Sequence, residues 1–181
     1  MEQGCGRCGR FKPIKGLEHC KQCLCKIIER KVRKKLGLLE DIIGWQGGAK
    51  KRLAMAASGD RLNDRAAAYF VHRFMPAAVL GKSAGKRFLV GTATSDDAAA
   101  ALIEEFISGK GVKSAGKKAV ELFHSITEME LEAYASIKKI KYGRAAKPLL
   151  RQKLAEFQAK HPGTIEAIAR SKEKLVELLE K

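Results

Sequence analysis

"KRFLVGTATSDDAAAALIEEFISG", residues 86–109, contains the junction on which the fold turns. Residues 86–93 read as a strand, and the alanine-rich segment after them reads as a helix. Ser95, Asp96 and Asp97 sit where a helix leaves its first N–H groups unpaired, so short oxygen-bearing side chains there predict a cap. The same alternation recurs on both sides. Upstream, "RLAMAAS" (52–58) reads as a buried strand of small residues, and "SGDRLNDRAAAYFVHRFM" (58–75) as a turn and a helix. Downstream, "AVELFHSI" (119–126) is a third strand. "TEMELEAYASIKKI" (127–140) opens a helix with a capping box, Thr127 with Glu130 three residues on. Strand and helix in strict alternation imply parallel strands joined by right-handed crossovers. Ligands of such sheets bind beyond the carboxyl ends of the strands. Those ends are Ser58–Gly59, Thr92–Asp97 and His124–Thr127.

The tail reads as two helices, 145–160 and 164–180, separated by "HPGT" at 161–164. The near-repeats "GKSAGKR" (81–87) and "VKSAGKK" (112–118) invite a phosphate-loop reading. They precede strands instead of following them and lack a hydroxyl residue after the lysine, so basic surface loops are expected.

The first 25 residues carry different chemistry. Cys5 and Cys8, then Cys20 and Cys23, form two C-x-x-C turns with eleven residues between the pairs. Each turn aims two thiolates at one point, and two turns make a tetrahedral sulfur cage of the kind Zn2+ prefers. Gly6 and Gly9 suit a backbone that turns tightly around an ion. Four protein ligands close the coordination sphere, so the expected role is structural. His19 and Cys25 lie beside the second pair, and Cys25 is better placed as a small apolar residue of the following helix. That helix, "LCKIIERKVRKKLGLL" (24–39), spaces Leu24, Ile27, Ile28, Val32, Leu36 and Leu39 along one face. Lys26, Arg30, Lys31, Arg33, Lys34 and Lys35 lie off that face and read as a phosphate-binding surface.

The 181-residue chain carries a formal charge of +16, with 36 Lys and Arg against 20 Asp and Glu. Residues 1–52 alone hold 14 basic and 5 acidic side chains. Such an excess attracts polyanions, and nucleic acid is the expected partner class. No apolar run approaches the length of a membrane span, and no apolar signal region opens the chain, so a cytoplasmic, membrane-free location is expected.

Five segments, taken in order, resemble one family. "CGRC" and "CKQCLCKIIERKV" resemble the amino-terminal zinc finger and linker helix of tRNA 2-thiolation proteins in the PP-loop ATP pyrophosphatase superfamily. "AMAASGD" (54–60) is similar to the family's strand and S-G-G-x-D-S phosphate loop. "GTATSDDAAAALIEEFISG" resembles its G-H-x-x-D-D-x-A-E segment. "ITEMELEAYASIKKIKY" resembles its strand-to-helix segment, and "KHPGTIEAIARS" its H-P-G-T element. The resemblance implies an adenylating enzyme whose loop amides cradle ATP phosphates while sulfur replaces an activated base oxygen. It places a nucleotide site at Ser58, Gly59, Asp96 and Asp97.

The departures imply that this site is vestigial. Asp60 stands where the motif has its second glycine and sets a carboxylate against phosphate. Leu62 and Asn63 replace the motif's Asp and Ser. The segment from 58 to 88 is short for the family's extra strand–helix units. No cysteine follows Cys25, whereas active members use cysteines in the sheet domain for a persulfide or an iron–sulfur cluster. The family's carboxy-terminal zinc finger is also missing.

The expected architecture is therefore α/β: a small parallel sheet with flanking helices, a truncated PP-loop domain, with an N-terminal zinc finger and a C-terminal helical tail. Its divisions are a zinc finger (1–25), a basic linker helix (26–50), a degenerate PP-loop domain (51–142) and the tail (143–181). The expected function is a tRNA-binding, non-catalytic component of wobble-uridine 2-thiolation, in the manner of the decayed subunit of the eukaryotic cytosolic thiolation pair. Its partners are tRNA and a catalytic PP-loop paralogue. Zn2+ is bound at Cys5, Cys8, Cys20 and Cys23, ATP binding is doubtful, and RNA meets Lys26, Arg30, Arg33, Lys34 and Lys35. Two alternatives stand beside it: an active, divergent ATP-dependent tRNA sulfur-transfer enzyme, and a general zinc-dependent RNA-binding protein.

Overall fold

A computed structural model describes residues 4–43, 51–56, 61–76, 78–81, 88–109, 119–143 and 148–179. Its elements run α1 (Lys21–Ile43), β1 (Lys51–Ala56), α2 (Arg61–Phe74), β2 (Ala78–Gly81), β3 (Phe88–Thr94), α3 (Ser95–Ser108), β4 (Ala119–Phe123), α4 (Glu128–Lys138), α5 (Leu149–Lys160) and α6 (Thr164–Leu179). All strand pairs are parallel, in the order β2-β1-β3-β4. This is the expected α/β class, with one strand more than the sequence reading held. Strand β2 has four residues and begins two positions after Pro76. A run that short shows no alternation, so it reads as loop until the neighbouring β1 supplies its hydrogen bonds. The near-repeats at 82–87 and 112–118 lie outside the described residues.

The chain steps outward from β1 to β2, then crosses back over β1 to β3 and on to β4. The reversal puts a crevice at the carboxyl ends of β1 and β3, where open parallel sheets hold their ligands. One face of the sheet packs Leu53, Val90, Val120 and Leu122 against Leu24, Ile28 and Val32 of α1, Leu62, Ala66 and Phe70 of α2, and Leu131 and Tyr134 of α4. Phe70 anchors this layer, stacked on Tyr134 at 5.0 Å and tilted against Phe123 at 5.9 Å. Each such large side chain, fully buried, contributes about 1.5–3 kcal/mol relative to exposure. Helices α3, α5 and α6 form a second cluster through Ala99, Ala100, Leu154 and Ile165. In the tail, Leu154 is buried and Leu150 half-buried, while Leu149 and Phe157 are exposed.

Strand β3 makes room for a charged neighbour. Gly91 pairs with Glu121 of β4, and a Cβ at Gly91 would run into the Glu121 carboxylate. The register shifts between Gly91 and Thr94, which frees the Ala93 N–H, and Glu121 accepts it at 3.2 Å. Burial pushes the Glu121 carboxyl above the usual range, against the Ala93 hydrogen bond and the Lys35 charge, which lower it.

Both predicted caps form, one of them a residue earlier than expected. The cap of α3 is Thr94, which reciprocates with Asp97, so Ser95 is already helical. Thr127 and Glu130 make the capping box of α4 as read from the sequence. Helix α3 ends at Gly109, whose φ of 64° is open to glycine without steric cost.

Candidate functional site

The cysteine knuckle is built on backbone hydrogen bonds. Cys5 N donates to Phe11 O at 2.9 Å, Gly9 N to Cys5 O at 2.8 Å and Gly6 N to Glu18 O at 2.8 Å. Gly9 takes a φ of 65° to close the first turn. A Cβ on Gly4 would lie 2.6 Å from Gly9 O, so that crossing is closed to any side chain. Helix α1 starts at Lys21, inside the second pair, so Cys23 stands in its first turn and the knuckle passes into the helix without a linker.

Cys5, Cys8, Cys20 and Cys23 bring their sulfurs within 4.8 Å of one another, with Cys8 and Cys20 at 3.9 Å. A single tetrahedral ion with metal–sulfur bonds of about 2.3 Å sets its sulfurs about 3.8 Å apart, so the cage fits one ion. A four-iron cluster spreads its cysteines around the corners of a cube and needs a wider frame. The Cys20 N–H, 3.3 Å from Cys5 Sγ, is the main reason that the Cys5 thiol is held down at about 5. Cys23 is pushed up to about 12, first by burial and then by its thiol neighbours. Four thiols with that internal conflict become four thiolates when a cation is among them. Neither alternative ligand joins the cage. Cys25 is half-buried and packs on the main core, and His19 stands outside the group of four.

Of the second set of expected residues, Asp96 and Asp97 stand at the start of α3, just after the carboxyl end of β3. Ser58 and Gly59 lie outside the described residues. Asp97 is described, and it is saturated. It accepts from Thr94 N at 2.8 Å, Thr94 Oγ1 at 3.0 Å and Asn63 Nδ2 at 3.1 Å, and it pairs with Arg151 of α5. Asp96 is buried and accepts from Glu128 N at 2.6 Å, tying α3 to the start of α4. Thr92 donates to Asp64 at 3.1 Å. Both aspartates thus serve the packing of helices on one another. Asn63 and Arg151, which hold Asp97 from opposite sides, carry no signal in the sequence, because their partner is 34 and 54 residues away.

Asp97 is nearly buried, and removing it breaks the ion pair to Arg151 and leaves two donors of the α3 cap, Thr94 N and Oγ1, without their carboxylate. Asp97→Ala is expected to destabilise the chain by about 2–4 kcal/mol. Urea denaturation followed by circular dichroism measures this. A loss under about 0.5 kcal/mol, the range of surface substitutions, would mean that the network has no structural weight.

The third set is the basic face of α1. Lys26, Arg30, Arg33 and Lys34 are exposed, and Lys35 is half-buried. Lys31, on the same helix, is taken up internally: its Nζ donates to Ser125 O at 2.6 Å and lies 3.9 Å from Glu130. Lys26, Glu29, Arg30 and Arg33 line an open groove of about 350 Å³. Glu29 is bridged to Lys138 at 3.1 Å and accepts from Tyr134 Oη at 3.1 Å. Burial raises the Glu29 pKa, but these two partners outweigh it and hold the carboxyl below its usual range. Among the described residues no helix is long and apolar enough to cross a membrane.

No protein-family model matches the sequence, and no curated protein matches it at a significant level. Among solved structures the chain is similar to the U34-tRNA thiolase NcsA from Methanococcus maripaludis, a structure described with its [4Fe-4S] cluster. The two superpose with a TM-score of 0.71 at 20% identity, over 98% of this chain and 89% of that one. At that identity the likeness speaks for the fold, and this chain has the fold of a tRNA thiolase.

Proposed function

We propose that this chain binds tRNA and serves wobble-uridine 2-thiolation as a non-catalytic component. The observation that carries the reading is a pairing of fold and chemistry: the fold of a U34-tRNA thiolase with all five cysteines placed before residue 26. That neighbour carries an iron–sulfur cluster, whereas here the sheet and tail offer no thiol for a cluster or a persulfide. The four-cysteine cage is spaced for a single ion, and Zn2+ is the ion that suits a closed thiolate tetrahedron. It fixes the first 25 residues against the start of α1. The basic face of α1, with Lys26, Arg30, Arg33, Lys34 and Lys35, takes the phosphates. Asp96 and Asp97 are vestiges of a nucleotide site, and the hydrogen bonds that now hold them support this. A catalytic PP-loop paralogue in the cytoplasm supplies the adenylation.

The test is the 2-thiouridine content of tRNA from the native cell, measured by mass spectrometry with and without this chain. A large loss of wobble 2-thiouridine is expected when the chain is removed. Unchanged 2-thiouridine would overturn the assignment to this pathway.

A further inference from the structure

The basic face of α1 does not stand alone. Arg33 lies with its guanidinium carbon 4.5 Å from the ring centroid of Phe74, at the end of α2. Arg73, the preceding residue, lies 5.7 Å from the same ring and 5.9 Å from Tyr69, whose hydroxyl it reaches at 3.0 Å. Two arginines from two helices thus converge on one half-buried aromatic pair. Arg33 and Arg73 are exposed, while Phe74 and Tyr69 are half-buried. The rings are fixed from beneath, since Phe74 stacks on the buried Phe70 at 5.9 Å and Tyr69 meets Phe70 at 5.6 Å. Beside them runs the groove of Lys26, Arg30 and Arg33, with its one carboxylate, Glu29, already neutralised by Lys138.

A surface that served phosphate alone would need charge and no aromatic support. Here the support is present: a ring holds a guanidinium in place, and a guanidinium so held offers its outer side to another flat group. Unpaired nucleobases stack on such planes, whereas bases inside a duplex present only their edges. Phosphates on either side of the base would lie along the lysine and arginine groove.

We propose that the α1–α2 junction is a binding site for an unpaired nucleotide of RNA, its base stacked at Arg33 over Phe74, its flanking phosphates held by Lys26, Arg30 and Arg73. The inference rests on the RNA-binding reading above and narrows it from any phosphate backbone to single-stranded RNA.

The experiment compares the full chain with Arg33→Lys, which keeps the charge and removes the flat group. The probes are a labelled single-stranded RNA oligonucleotide and a labelled blunt-ended RNA duplex of the same base composition, read by fluorescence anisotropy. The native chain is expected to prefer the single strand, and Arg33→Lys to lower the ratio of single-strand to duplex affinity about tenfold. Phe74→Leu should lower the same ratio, with thermal unfolding as its folding control. A ratio within a factor of two of native in Arg33→Lys overturns the stacking site while leaving general RNA binding intact. Binding of neither probe by the native chain overturns the RNA-binding reading itself.

Discussion

Replacing Cys20 by serine is expected to release the bound metal completely and to unfold the segment before α1, while the sheet survives. The substitution removes one of the four sulfurs of the cage, the one that stands 3.9 Å from Cys8, and leaves the backbone N–H in place. The knuckle has almost no apolar core of its own beyond the cysteines, which form a small cluster apart from the main one. A structural zinc site of this size contributes on the order of 10 kcal/mol of apparent binding energy, and that energy is the folding energy of the segment. The sheet layer draws instead on Leu53, Phe70, Leu122 and Tyr134, none of which touches the cage cluster. Elemental analysis should find one zinc per native chain and none in the variant. Circular dichroism should retain most of the helix signal. Iron in place of zinc, or full metal retention by Cys20→Ser, would contradict the single-ion cage.

Reversing Arg30, Arg33 and Lys34 to glutamate is expected to abolish tRNA binding at moderate salt. All three side chains are exposed and lie off the stripe of Leu24, Ile28, Val32, Leu36 and Leu39, which is buried. The fold should therefore be unchanged. Each phosphate contact releases counterion, so the native affinity should fall steeply, by about a thousandfold from 50 to 200 mM salt if about six contacts form. The triple variant loses these contacts and adds repulsion. A salt titration of both proteins, with circular dichroism as the folding control, measures the effect. Equal binding by native and variant would make α1 a solvated face with no part in RNA recognition.

Much of this molecule was legible before any geometry. The four-cysteine cage follows from spacing alone, because C-x-x-C turns fix where their thiols point. Strands β1, β3 and β4 and the Thr127–Glu130 box follow from local pattern, since each is settled by residues a few positions apart. What stayed hidden depends on long-range pairing. Strand β2 exists because Val79 and Leu80 find Arg52 and Leu53 across the sheet, not because "AVLG" demands it. Asp97 looked like a nucleotide ligand or a cap. The structure shows the cap, and adds the hold of Asn63 and of Arg151 of the tail. Lys31 looked like its neighbours on the basic face until the carbonyl of Ser125 claimed it. The pairing of Arg33 with Phe74 needed two helices to meet, and no spacing within either one announces it.

In the proposed role this chain works in tRNA thiolation without catalysing adenylation. The direct test is pyrophosphate release from Mg-ATP by the purified zinc-loaded chain, with and without tRNA, alongside calorimetry of Mg-ATP binding. The resemblance to the phosphate-loop motif puts Asp60 in place of a glycine whose amide would meet phosphate, and a like charge within about 4 Å would cost on the order of several kcal/mol at moderate effective dielectric. No saturable heat of ATP binding and no pyrophosphate above the protein-free blank are expected, with tRNA bound throughout. Micromolar ATP affinity together with tRNA-stimulated pyrophosphate release would contradict that role and make the chain an active, divergent sulfur-transfer enzyme.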